Sequence, residues 1–443
     1  MIFRKRLRFL ILACLAVSVS APHAHSLSLT VEDAVRYALE GNLKIKQSAV
    51  SLKSSKRAKT YSWNSISPSI SANAQISKDL PSTGRIDSDP DYSKDPTVSI
   101  GASISMNLHP SVGTTVKGAE LSYEKQQLDY ETAVRTVELN VREAFYGILY
   151  EQENISLLQK NYDTASSRYG SNVTRYNRGL LPRLDVLNSQ ISYQNARVSL
   201  ESARTTLEND KTVFKQLLGI DLDTEIVLEG SLDDVLSLGE ISIDDLSKKS
   251  ADVASLEKQV EIAKNNLLAS RLSAYAPSLN GSYSYRMNKS LEDGADWMHG
   301  GTLSFGVSIP LDGFLPWSKG TQSVVTQKEN LELLNLQLEN AKTSFKISCQ
   351  KYLNQIKLLQ SNVQLRRQSI DYASESYQMT SEAYNNGTKD YLALQNAADS
   401  LLQSKVSLKS EAYSLMKAVL ELENAIGVPF GTLSGKSVTK ESD

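Results

Sequence analysis

Two stretches of this chain, YNRGLLPRLDVLNSQ from Tyr176 to Gln190 and YNNGTKDYLALQNA from Tyr384 to Ala397, are one interrupted helix written twice. Gly179 pairs with Gly387 and Gly219 with Gly427, a constant offset of 208 residues. Flanking segments keep the same order: SPSISANAQ from Ser67 answers APSLNGSYS from Ala276, and TVSIGASISMNL from Thr97 answers TLSFGVSIPLDG from Thr302. The chain is therefore a tandem duplication, and any fold proposed for it must be built from two copies of one unit.

Within each unit the period of the apolar pattern changes. Val134, Val137, Val141, Ala144 and Ile148, then Ile155, Leu158, Tyr162, Ala165 and Tyr169, follow the 3-4 spacing of one face of a long helix. The second copy repeats it at Leu331, Leu334, Leu338, Ala341, Phe345, Cys349, Tyr352, Ile356, Leu359 and Val363. Gly113 to Arg178 holds no proline, and at 1.5 Å per residue it predicts a rod of roughly 100 Å. Aromatic residues make up only 7% of the chain, which suits solvated helices better than deep globular cores.

Ahead of each rod the period drops to two. Ile70, Ala72, Ala74 and Ile76 alternate with Ser69, Ser71, Asn73 and Gln75, and Val98 to Leu108 alternate in the same way with serine, glycine and asparagine. Leu279, Tyr283, Tyr285 and Met287 form one face of a third strand, and Leu303, Phe305, Val307, Ile309 and Leu311 one face of a fourth. Such strands have one apolar and one small polar face. A half-buried soluble sheet gives this alternation; so does a transmembrane barrel, whose strands are also about ten residues long and joined as hairpins. Tyr61, Trp63 and Trp317 stand at strand ends, where interfacial anchors belong. Four strands cannot close a barrel, so the membrane reading requires oligomerisation: two chains give eight strands and three give twelve.

The amino terminus fixes the compartment. Arg4, Lys5, Arg6 and Arg8 precede an apolar run from Phe9 to Ala21, too short to span a bilayer comfortably, and Ala24-His25-Ser26 offers a cleavage site, so a secretory leader at 1–26 is expected. A cut before Cys14 would instead make a lipoprotein, but the apolar run continues past that cysteine. Cys349, inside a helical pattern, reads as a small buried apolar residue. A net charge of −2 gives no field suited to nucleic acid. His109 and His299 are the only histidines beyond the leader, no HExxH spacing occurs, and GTLSGKS at Gly431 is one residue short of a phosphate loop. No enzyme, metal or cofactor is expected.

The order of four features resembles the TolC-like outer-membrane efflux protein family over almost the whole mature length. They are LSLTVEDAVRYALEGNLKIK from Leu27, the two Ser-rich strand pairs, IPLDGFLPWSKG from Ile309, and the twin turns RGLLPRLDVLNSQ and NGTKDYLALQNA. The resemblance implies a mainly α fold with β: long coiled-coil-like hairpins plus four strands per chain, contributing to a twelve-stranded outer-membrane β-barrel and a periplasmic α-barrel in a homotrimer. It divides the chain into a first repeat at 27–230, with a strand pair near 66–109 and a tip near 179–183, and a second at 231–429, with a strand pair near 276–311 and a tip near 387–390. A polar, disordered tail at 430–443 follows.

The expected function is a passive exit duct for efflux or type I secretion. It would be coupled through a periplasmic adaptor to an inner-membrane transporter of resistance-nodulation-division or ABC type. The resemblance places adaptor docking at Gly179, Leu180, Gly387 and Thr388, and a periplasmic gate at Asp185, Tyr384 and Lys389. Where family members often carry acidic rings at the constriction, this chain has Ala393 and Asn396, and Asp399 one turn on is the candidate replacement. The alternatives are a periplasmic adaptor and a coiled-coil envelope spacer; neither needs two hairpins together with two alternating strand pairs.

Overall fold

A computed structural model describes residues 27–78, 95–232, 250–292 and 294–433. The expected leader with Cys14, most of the first strand-pair loop and the tail beyond 433 lie outside the described residues. In chain order the elements are β1 (Leu27–Leu29), α1 (Val31–Gly41), α2 (Leu43–Thr60), β2 (Ser69–Ser77), β3 (Thr97–Leu108), α3 (Val112–Asn177), α4 (Arg183–Leu218), β4 (Ile226–Leu228), α5 (Ala251–Tyr275), β5 (Ser278–Ser290), β6 (Met298–Ser308), α6 (Lys319–Asn385) and α7 (Tyr391–Ile426). The fold is mainly helical with a few strands, as the sequence pattern predicts.

The two rods, α3 with 66 residues and α6 with 67, each reach about 100 Å. Their return helices α4 and α7 have only 36 residues each, about 54 Å, and so come back roughly half way. In the first copy α2 continues the line. Asn42 Oδ1 accepts from the Lys44 amide at 2.9 Å, capping α2, while its Nδ2 donates to the Leu217 carbonyl at the end of α4, 2.8 Å away. One side chain thus serves the loose donors of one helix and a loose acceptor of the other. A Cβ on Gly219 would stand 2.5 Å from the Gly41 backbone carbon, so both helix ends need glycine to meet. In the second copy Ser250 occupies the position of Asn42 and caps α5 through the Asp252 amide.

The apolar stripe read from the sequence is the buried one: Val137, Val141 and Ile148 on α3 and Cys349, Ile356, Leu359 and Val363 on α6 belong to a single core with Phe145, Phe214 and the end of α7. The carboxyl end closes on that core. Phe430 is buried under the guanidiniums of Arg135 and Arg142, and buried Glu423 accepts from the Leu433 and Gly431 amides at 2.7 and 2.9 Å. Phe430 to Leu433, which the sequence pattern places in a disordered tail, are therefore packed. Their anchors are a lone aromatic and two backbone amides, which carry no periodic signal.

α6 has a second apolar stripe on its opposite side. Leu358, Leu365, Tyr372 and Met379, seven residues apart, are all exposed, as are Leu184, Leu187, Ile191 and Val198 on α4. Helices apolar on two sides belong in a wall, with a neighbour on each flank.

The strands β2-β3-β5-β6 form one antiparallel sheet, with β2 and β6 as its edges. The register aligns Ile70, Ile104, Tyr283 and Leu303 in one row of one face, and Ser71, Ser103, Ser284 and Thr302 in one row of the other. On the polar side serine hydroxyls bond across the strands, Ser69 to Ser105 at 2.7 Å and Ser71 to Ser103 at 2.9 Å. The apolar face is bare: Phe305 is 82% exposed and Ile70 76%. A sheet with an uncovered apolar face and two open edges is incomplete in water.

Candidate functional site

At the end of the rods away from the sheet, both helices stop in the same way. In the first turn Gly179, at φ +74°, donates to the Tyr176 carbonyl at 2.8 Å, and the Leu180 amide donates to the Arg175 carbonyl at 2.9 Å. In the second, Gly387, at φ +73°, donates to Tyr384 at 3.0 Å, and the Thr388 amide donates to Ala383 at 2.9 Å. Both are Schellman closures, which need a residue in the left-handed region. A Cβ at Gly179 or Gly387 would meet nothing within 4 Å, so here only backbone conformation demands glycine. The restarts differ. Pro182 stands at the N-cap of α4, with no side-chain bond and with Asp185 in the first turn, whereas Asp390 caps α7 through the Ala393 amide at 2.8 Å.

All four expected docking residues, Gly179, Leu180, Gly387 and Thr388, are exposed, and Leu180 is 67% so. The expected gate residues differ in burial. Tyr384 is buried, its hydroxyl donating to Asn172 Oδ1 of the other hairpin at 3.0 Å, with the Arg175 guanidinium 5.6 Å from its ring and Tyr391 packed edge-on. Burial raises its phenol above the usual range; Arg175 and the Asn172 bond oppose this, and the charge of Asp185 adds to it. Asp185 is half-buried, while Lys389 lies exposed beside a cleft of about 490 Å³ lined by Tyr372, Glu375 and Met379. Among the described residues Asp185 and Lys389 form no ion pair within the chain.

Of the constriction candidates, Ala393 is half-buried, while Asn396 and Asp399 are exposed. Although Asp399 is exposed as a whole, partial desolvation raises its carboxyl, and the charge of Arg168 and a bond from the Gln395 side chain oppose that rise. Arg168 also donates to the Tyr377 hydroxyl and stacks on its ring. Arg168, Asn172 and Arg175 on α3 thus face Tyr377, Tyr384 and Tyr391, tying the two hairpins together near the tip. Sequence reading missed this cluster. Its signal was the switch of the α3 core stripe from apolar to polar after Ala165, with the 3-4 spacing maintained.

These parts define a class: a subunit of a helical wall, reversed at one end by paired glycine turns and carrying at the other a sheet fit for a bilayer. The chain belongs to the outer membrane efflux protein family, whose model matches residues 34–220 and 242–428, the same 208-residue offset as the paired glycines. No curated protein gives a significant sequence match. Among solved structures, the Campylobacter jejuni CmeC outer membrane channel is similar at TM-score 0.73 and 17% identity, covering 90% of this chain and 85% of that one. The Vibrio cholerae outer membrane protein VceC is similar at 0.68 and 14%, covering 90% and 96%. The Neisseria gonorrhoeae MtrE channel, described in its open state, is similar at 0.67 and 16%, covering 90% and 89%. At these identities the likeness carries the fold, and the family match places the chain among outer-membrane efflux channels.

Proposed function

We propose that three copies of this chain close their sheets edge to edge into one outer-membrane barrel, and their rods into one periplasmic tube. The tube is a passive exit duct whose tips receive a periplasmic adaptor and, through it, an inner-membrane transporter of resistance-nodulation-division or ABC type. The observation that carries this reading is the sheet: a bare apolar face and two unpaired edges at one end of rods reaching about 100 Å. Lipid satisfies the face, and another copy satisfies each edge. The duplicated glycine turns then lie in a ring at the far end, exposed for docking.

The sheet gives a direct test. Ile104 and Leu303 share one row of the apolar face, near mid-strand. The Ile104→Arg, Leu303→Arg double variant places two charges per chain against lipid, each costing about 2–4 kcal/mol near the midplane. Loss of the protein from the carbonate-washed outer-membrane fraction is expected, while Ser103→Arg, one residue along on the polar face, assembles normally. Normal assembly of the double variant, or recovery of the parent protein in the soluble periplasm, would contradict the barrel.

A further inference from the structure

The polar face of the sheet contains a single charge. Along β2, β3, β5 and β6 the residues on that face are serine, threonine, asparagine, glutamine, glycine and Met298, with one exception, Arg286. Its row reads Asn73, Gly101, Arg286, Gly300, so it stands between two residues without side chains. The Asn73 amide leans over Gly101, where a Cβ would stand 3.2 Å from Asn73 Oδ1, while a Cβ at Gly300 would meet nothing within 4 Å. Arg286 is exposed, and among the described residues no acid or carbonyl is bonded to it. With no partner among the described residues, the guanidinium is a standing positive charge that offers its donors to a solute.

We infer that Arg286 is the anion-recruiting group of the duct's barrel, the residue that draws carboxylate, phosphate or sulfate groups of passing solutes into an otherwise uncharged polar lumen. The inference rests on the reading that the polar face lines the lumen. Closing the barrel with further copies sets their Arg286 side chains at one height, four residues from the outer end of β5, or about 13 Å along the strand. A neutral wall neither pairs with these charges nor screens them, and the low-dielectric barrel concentrates their field. The flanking glycines leave the guanidinium room to follow a moving anion. Lys289, the other cation of β5, falls on the apolar face with Ile76 and Val98 and does not add to this field.

The field is readable without reference to the tip. Ser284, two residues along β5 on the same face, becomes a reporter as Ser284→Cys. It is labelled on intact cells with sulfonatoethyl methanethiosulfonate, an anion, and separately with the trimethylammonioethyl reagent, a cation. Native Cys349 is buried, and the parent chain serves as the blank. At about 7 Å one unit charge biases the two reagents oppositely, so the anion-to-cation rate ratio is expected to fall roughly fivefold in Arg286→Gln and to recover in Arg286→Lys. Glu292 and Asp296 near the outer strand ends act equally in every background and cancel. An unchanged ratio in an assembled, labelled protein overturns the role of Arg286 and leaves the duct standing. Failure of both reagents to reach Ser284→Cys in outer-membrane protein shows that this face is not a lumen, and overturns the duct reading with it.

Discussion

In planar bilayers the Asp185→Ala, Lys389→Ala double variant is expected to open about a hundredfold more often than the parent channel. Among the described residues neither charge has an ion-pair partner within one chain, and a carboxylate–ammonium link at the surface to a neighbouring copy contributes about 1 kcal/mol. Three such links in a ring sum to about 3 kcal/mol, and every 1.4 kcal/mol shifts an open–closed equilibrium about tenfold. Weak links also suit a gate that must yield to a docking partner. Tyr384→Phe is expected to act less directly, because that hydroxyl is already spent within the chain on Asn172. Single-channel recording decides the matter: an unchanged open probability in a correctly assembled double variant removes Asp185 and Lys389 from the gate.

The second large effect separates glycines that share one backbone conformation. Gly179 and Gly219 lie at φ +74° and +71°, yet only Gly219 has neighbours that forbid a side chain. Gly179→Ala is expected to cost about 1 kcal/mol of backbone strain, and the protein still reaches the outer membrane in normal amounts. Gly219→Val adds a clash with the Gly41 backbone at the junction of α4 and α2. That cost is several kcal/mol out of a typical total of about 5–15, so little folded protein is expected in the outer-membrane fraction. Quantitative blotting of washed outer membranes from both strains checks the contrast; equal yields would mean that the junction is not held as described. With Gly179→Ala expected to fold, its effect on adaptor capture by a photo-reactive residue at Leu181 reports docking alone.

Much of this was legible in the residues. The duplication, the change of period from two to 3-4 and the glycine reversals identify rods, strands and turns, because each is a local preference repeated over many residues. The pieces that escaped are single side chains acting across long separations. Asn42 bridging to Leu217 looks from the sequence like any N-cap, and Glu423 holding the amides of Gly431 and Leu433 looks like one more acid on a helix. The tip behaves likewise. Family resemblance nominates Asp185, Tyr384 and Lys389 together for the tip, but the burial of Tyr384 against Asn172 depends on how α3 meets the second hairpin, which no spacing within one helix encodes. The two-sided stripes on α4 and α6 were visible as apolar residues; that one side stays bare in a single chain needed the structure.

The central claim is that the open edges β2 and β6 are closed by further copies of the same chain. Native mass measurement of the protein extracted in mild detergent from washed outer membranes tests this most directly. Three copies of the processed chain, held together without any other subunit, is the expected result. A single copy in the outer membrane, its sheet edges unmatched, would contradict it.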